Sequence, residues 1–416
     1  MIGNEIAGGT AEGAGAGGGA LAGVRVVELA HIMAGPVCGR MLADMGADVV
    51  KVEAPGGGDP TRALVPLDGV DASGAFVMMN RGKRGIVVDL KGEEGRGVVR
   101  RMLARCDVVI ENFRKGVMEG FDLGYESLRT ANPGLVYCQI TGFGRTGPLA
   151  DQGGFDLIAQ GMTGLMSVTG EAPGRPPVKC GPPLTDITAG VLGAMGVVAA
   201  LYSRRETGVG QRVDTSLYEA GLVQTFWQSA VTLATGESPG PLGSAHPLAA
   251  PYEAFPTADG WITVGGWNQV NWMRLLEALE LGELADDPRF ATNEARMKNQ
   301  AALRDVLAGR LKTAPAETWL RRLEKAAVPA GPVLSTLEAL RHPQTVAREM
   351  VVTVEQGGNA VETMGMPVKL SEAPGAVPSG APRLGEHTEE VLGEYGFGQE
   401  EIAELLRSGA LGRFNA

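Results

Sequence analysis

From Val24 to Arg62 the chain is apolar and β-branched, then apolar at helical spacing, then β-branched again, and it ends in a run of glycines. Val24–Leu29 reads as a strand, because such residues suit a buried pleated surface. Pro36 sits near the first position of a helix, where a missing N–H costs little, and Gly46 falls where that helix would close. Asp48–Val52 is the second strand. This βαβ unit places a strand end and a helix start on one edge of a parallel sheet, where nucleotide-like ligands bind.

The alternation continues. Gly85–Leu90 reads as a strand and Glu93–Cys106 as a helix, with acids in its first turn and Arg100, Arg101 and Arg105 near its end, as the helix dipole favours. Asp107–Glu111 is a strand, Tyr125–Ala131 a short helix and Leu135–Thr141 a strand. The pattern predicts an α/β fold, a Rossmann-like doubly wound parallel sheet. It stops near Gly210. Arg212–Ala234 then reads as one long helix, and Gly236–Pro247 as a Gly/Pro/Ser-rich break. Tyr252–Phe255 and Trp261–Val264, joined at Asp259-Gly260, predict a hairpin. Helices at Gln269–Glu280, Lys298–Leu311 and Ala316–Ala327 complete a smaller α+β unit, closed by Val328–Val333. Beyond His342, short strands and a helix near Gln399–Arg407 return to the first style. The expected organisation is a disordered extension at 1–22, a large domain at 23–215, a linking helix and linker at 216–247, a small domain at 248–333, and a return segment at 334–416 that completes the large domain.

Composition narrows the function. At 416 residues two domains are expected. Lys plus Arg is 37 against Asp plus Glu 48, a net charge of −11. That argues against nucleic acid as a partner, though local basic clusters still suit a phosphorylated small molecule. Cys38, Cys106, Cys138 and Cys180 are widely spaced, so no zinc site is expected, and they fit a reducing, cytoplasmic setting. The glycine- and alanine-rich start lacks the basic and apolar regions of a signal peptide. No membrane span is expected either, because the Ala/Gly-rich run Ile187–Leu201 suits a packed core helix better.

Several segments carry candidate chemistry. Asp186 stands at the mouth of that small-residue helix. It reads either as an N-cap or as a carboxylate nucleophile whose anion the helix start stabilises. Gly142–Pro148 and Gly153–Asp156 are glycine-rich loops that permit close backbone approach to a ligand. Asn80–Arg84 gathers three cations beside a strand, either a solvated run or a phosphate clamp. The first turn, Ala30–Pro36, lacks GxGxxG, which disfavours a nicotinamide dinucleotide.

Taken in order, these segments resemble the class III CoA-transferase family (CaiB/BaiF, or formyl-CoA transferase-like), from about Gly23 onward. The shared elements are Ala34–Pro36, Leu42–Glu53, Gly58–Arg62, Asn80–Arg84, Glu111–Arg114, Thr141–Gly144, Asp156–Gln160, Thr185-Asp186 and Thr207–Asp214. The resemblance implies a large Rossmann-like domain built from both chain ends, an inserted small domain and an interlocked homodimer. It implies Asp186 as the catalytic residue. Coenzyme A contacts are implied for His31, Ile32, Met33, Ala34, Met79, Asn80, Lys83, Arg84, Asn112, Phe113, Arg114, Thr141, Gly142 and Phe143. Phe155 and Asp156, with a lid at Gly265, Gly266 and Trp267, would face the substrate. Ala54 stands where family members often carry Arg after Lys-Val-Glu, and Trp267 interrupts the family's glycine lid.

The implied reaction moves CoA from an acyl-CoA donor, such as succinyl-CoA, to a small carboxylic acid. It proceeds through an aspartyl anhydride and an aspartyl-CoA thioester, without metal or redox cofactor. A 2-methylacyl-CoA racemase on the same fold is the alternative, but Phe155 occupies the position where racemases place a His, and an apolar ring is no base. A CoA-binding protein without turnover is a third reading, which Asp186 opposes.

Overall fold

The computed structural model describes residues 18–70 and 72–414, so most of the extension expected at 1–22 lies outside the described residues. Its strands are β1 (Arg25–Glu28), β2 (Asp48–Glu53), β3 (Arg84–Val88), β4 (Val108–Glu111), β5 (Val136–Thr141), β6 (Arg212–Ser216), β7 (Tyr252–Pro256), β8 (Trp261–Gly265), β9 (Ala330–Pro332), β10 (Val351–Gln356), β11 (Asn359–Met364) and β12 (Leu411–Gly412). The chain separates into two compact units. Of the described residues, one gathers those from 18 to Ala159, Pro182–Gly221 and those from Gln344 to 414; the other holds Gln160–Gly181 and Leu222–Pro343.

The first unit is built on a seven-stranded sheet in the order β12-β3-β2-β1-β4-β5-β6. It is mixed rather than purely parallel, because the chain end returns as β12 and pairs antiparallel with β3. Strand periodicity explains its two cores. Val26, Val49, Val108, Val136 and Cys138 point to one face, while Val27, Val50, Val109 and Tyr137 point to the other. Helix α1 (Ala34–Asp44) covers the first face. Helix α3 (Glu93–Leu103) covers the second, after α2 (Gly74–Asn80), together with the C-terminal helices Thr388–Glu394 and Gln399–Ser408. The β10–β11 hairpin also belongs to this unit.

One sequence expectation is corrected. Arg212–Ala234 is not a single helix: β6 runs first, parallel to β5, followed by helices Leu217–Val223 and Phe226–Thr235. Short β-branched Arg212-Val213-Asp214-Thr215-Ser216 completes a sheet edge that local helical spacing had masked.

Helix α4 (Tyr125–Ala131) precedes β5, and α5 (Asp156–Met162) and α6 (Leu184–Thr207) lie between β5 and β6. Helix α6 is long and apolar enough to cross a bilayer by length and composition. In this fold one side of it seats in the core through Ala189, Gly190, Gly193, Ala194 and Val197, while Val191, Met195 and Tyr202 face outward. Its small residues set how close it comes to α1. A Cβ on Gly190 would stand 2.6 Å from the Ala34 carbonyl and 2.8 Å from Val37 Cβ. That contact fixes α6 against the start of α1.

The second unit has the antiparallel sheet β7-β8-β9, with Trp272, Phe290 and Trp319 buried in its core.

Gly190→Ala is expected to cost about 1–3 kcal/mol, since backbone must move to admit the methyl group. Gly97→Ala, inside α3 with open space around it, is expected to add about 0.5–1 kcal/mol. Thermal unfolding of the two variants reads both signs; a neutral Gly190→Ala would contradict the close approach.

Candidate active site

At the C-terminal edge of the sheet in the first unit, a cleft of about 310 Å³ lies between the ends of β1, β4 and β5 and the starts of α1 and α6. Two helix starts at one edge turn backbone N–H groups and the positive ends of two helix dipoles toward it.

The β1–α1 turn, His31 to Ala34, lines one side. Ile32 takes φ 68°, a left-handed conformation that strains a β-branched residue by about 1–3 kcal/mol. Two clamps hold it. Asn112 accepts the His31 N–H at 3.0 Å and donates to the His31 carbonyl at 2.8 Å. The Asp59 carboxylate accepts the Ile32 N–H at 3.1 Å. Asp59 is itself fixed by Lys51 at 3.0 Å and by the N–H and hydroxyl of Thr61 at 2.9 and 2.7 Å. Helix α1 then begins without a side-chain cap. The His31 imidazole is held below its ordinary pKa by burial, with Lys51 adding to the effect and Asp59 opposing it.

Asp186 lines the same cleft from the first turn of α6. It is not the N-cap. Pro183 occupies that position, and Asp156 takes the Thr185 N–H at 3.0 Å and the Thr185 hydroxyl at 2.8 Å. Among the described residues no donor meets the Asp186 carboxylate. Burial, and then the nearby Asp156 charge, push its pKa up to about 6. Thr141 and Gly142, with Gly153 and Gly154, form the floor. A Cβ on Gly142 would stand 2.6 Å from Gly154 Cα, so two backbone segments cross there with no side chain between them.

The structure therefore gathers His31, Ile32, Met33, Ala34, Asn112, Phe113, Arg114, Thr141, Gly142, Phe155 and Asp186 around one cleft. Arg114 is exposed and has no ion pair among the described residues. Phe143 sits beside the cleft lining with its ring 6.1 Å from Tyr218. Asp156 acts from beneath through Thr185.

Met79, Asn80, Lys83 and Arg84 do not line the cleft. Met79 is buried in α2. Lys83 and Arg84, read from sequence as a phosphate clamp, have their cationic heads committed to the fold instead. Buried Lys83 binds Glu28 at 2.8 Å, the Pro36 carbonyl at 2.9 Å and Asn80 at 2.9 Å, and burial brings its pKa down to about 8. Arg84 binds Asp48, Glu390 and Glu394. Gly265, the last residue of β8, and Gly266 and Trp267, which follow it before helix Gln269–Leu279, belong to the second unit. There Gly266 packs tightly, its absent Cβ 3.0 Å from Leu275 and 3.1 Å from Pro251, while Trp267 is exposed.

Sequence reasoning missed Lys51 and Asp59. The run Asp59-Pro60-Thr61 carried a signal, since Asp followed by Pro marks an N-cap, and Asp59 does cap the short helix Pro60–Ala63. Among the described residues, no group of three or more His, Cys, Asp or Glu could hold a metal ion.

The model of CoA-transferase family III matches residues 21–388. The chain is 43% identical over 381 residues to a succinate–glutarate CoA-transferase of Agrobacterium fabrum, covering 90% of this chain and 95% of that protein. It is 42% identical over 393 residues to a succinyl-CoA:mesaconate CoA-transferase of Haloarcula hispanica, covering 91% and 97%. The crystal structure of a CaiB/BaiF family protein from Brucella suis is similar with a TM-score of 0.81 and 41% identity, over 91% of this chain and 100% of that one.

The state of Asp186 has a consequence for stability. Its folded pKa lies above the free value, so ionising it opposes folding; that cost is absent below about pH 4 and complete above about pH 6. Asp186→Asn is expected to stabilise the protein at pH 8 by on the order of 2 kcal/mol and to change little at pH 4. Thermal unfolding at the two pH values checks it; equal effects at both would contradict the uncompensated carboxylate.

Proposed function

The chain belongs to CoA-transferase family III, and we propose that it moves CoA from a succinyl-CoA-type donor to a short dicarboxylic acid, with Asp186 as covalent carrier. The observation that carries this reading is the Asp186 carboxylate, unpartnered among the described residues and lining a cleft at which two helices start. A pKa near 6 leaves it ionised at neutral pH yet more basic than an ordinary aspartate, which suits a nucleophile. The acceptor class is supported by the relatives, named for succinate, glutarate and mesaconate.

In the proposed cycle an Asp186 oxygen attacks the thioester carbonyl. The C–S bond breaks, giving a mixed anhydride and CoA thiolate. The thiolate attacks the aspartyl carbonyl, and the donor acid leaves with the bridging oxygen, giving an aspartyl-CoA thioester. The acceptor carboxylate attacks that thioester, releases the thiolate and forms a second anhydride. The thiolate then takes the acceptor acyl group and restores the Asp186 carboxylate. The oxyanion at each step would meet backbone N–H groups of the uncapped α1 start and the glycine floor. Arg114 would meet a CoA phosphate. Exclusion of water protects the anhydrides from hydrolysis.

The active form we propose is an interlocked homodimer. Exposed apolar side chains support it: Met195 and Tyr202 on α6, and Phe226, Trp227 and Leu233 on helix Phe226–Thr235. Light scattering that reads a single-chain mass would contradict it.

Mixing the enzyme with succinyl-CoA and hydroxylamine is expected to leave a hydroxamate on Asp186, located by peptide mass spectrometry. Asp186→Ala is expected to lose roughly 10³-fold or more of the exchange rate. An unmodified Asp186, together with an active Asp186→Ala, would sink the covalent mechanism.

A further inference from the structure

The segment Gly58–Arg62 matches the family but has no task in the proposed cycle. Asp59, its second residue, is 3% exposed, and its carboxylate reaches the turn that lines the cleft. Its N–H donates to Glu53 at 2.9 Å, and Glu53 is gripped by both ends of the Arg62 guanidinium, at 2.8 and 2.6 Å. Its carboxylate binds Lys51, Thr61 and the Ile32 N–H. Lys51 is anchored in turn by Glu28 at 3.2 Å and the Ala30 carbonyl at 2.8 Å, one residue before the turn. Ile32 is thus a β-branched residue in a glycine-like conformation, with its N–H received by a buried, ion-paired carboxylate.

We propose that Asp59 is a positioning residue for CoA. By holding Ile32 in its left-handed conformation, it aims the uncapped start of α1 at the ligand. This rests on the reading of the cleft as a CoA site. The side chain does not line that cleft, though it borders a neighbouring cavity with His31 and Phe113; it reaches the cleft through the Ile32 backbone.

The proposal has a signature that a general structural role lacks. Glycine adopts φ 68° without strain. In an Ile32→Gly background the turn no longer needs Asp59. The experiment is a double-mutant cycle read by titration calorimetry of free CoA, which requires no turnover, on unmodified protein, Asp59→Ala, Ile32→Gly and the double variant. Asp59→Ala alone is expected to weaken CoA binding tenfold to on the order of 10²-fold. In the Ile32→Gly background it is expected to cost less than about threefold. Equal costs in both backgrounds, or an unchanged affinity in Asp59→Ala, would overturn the proposal while leaving the function standing. Unmodified protein that does not bind CoA would overturn both. Should Asp59→Ala fail to fold, Asp59→Asn enters the same cycle, since it keeps one acceptor oxygen and loses the charge; its smaller cost must also shrink in the Ile32→Gly background.

Discussion

Lys51 and Asp59 meet at 3.0 Å with neither side chain in contact with solvent, and the shape of the cleft follows from that meeting. Removing two charges from water costs several kcal/mol each, which attraction offsets only when the remaining hydrogen-bonding capacity is also filled. Here most of it is filled: Lys51 also binds Glu28 and the Ala30 carbonyl, Lys83 holds the Pro36 carbonyl in the first turn of α1, and the second Glu28 oxygen, which accepts no hydrogen bond, is met by the Lys83 charge at 2.8 Å. The network therefore ties β1, β2 and the entry to β3 to the turn and helix they support. An apolar core of the same volume would pack these strands as well, but it could not receive the Ile32 N–H.

Two carboxylates within this unit show how surroundings assign roles. Burial alone would raise the pKa of both. For Asp59, Lys51 and the Thr61 bonds more than offset burial, and its pKa falls. For Asp186 the nearby charge is that of Asp156, a like charge, and its pKa rises to about 6. Asp156 contributes a second time by taking the Thr185 N–H and hydroxyl, so the helix start is capped without using Asp186. The satisfied carboxylate holds backbone in place; the unsatisfied one is left for chemistry.

Much of the fold was legible because strand alternation and helix punctuation are local. The βαβ unit and the hairpin at Asp259-Gly260 follow from neighbouring residues, and the structure places them within a residue or two. What was not legible depends on distant partners. The three cations of Asn80–Arg84 read as a free cluster, yet Arg84 is matched by Asp48, Glu390 and Glu394, two of them about three hundred residues on. Asp186 read as a possible cap because Asp156, the residue that relieves it, lies at the start of another helix. Strand β6 read as helix because its pairing with β5 is a tertiary choice. The left-handed Ile32 was invisible, since nothing in a β-branched residue suggests that conformation. The candidate site emerged from a family's spaced motifs; its electrostatics emerged only from the fold.

The most direct measurement follows oxygen. The enzyme is cycled with unlabelled succinyl-CoA and an acceptor acid carrying ¹⁸O in its carboxylate, then digested and analysed by mass spectrometry. The proposed sequence returns one acceptor oxygen to Asp186 in each turnover, so the peptide bearing Asp186 gains ¹⁸O, and the released donor acid gains it in later turnovers. Product formed at full rate with an unlabelled Asp186 peptide would contradict the account.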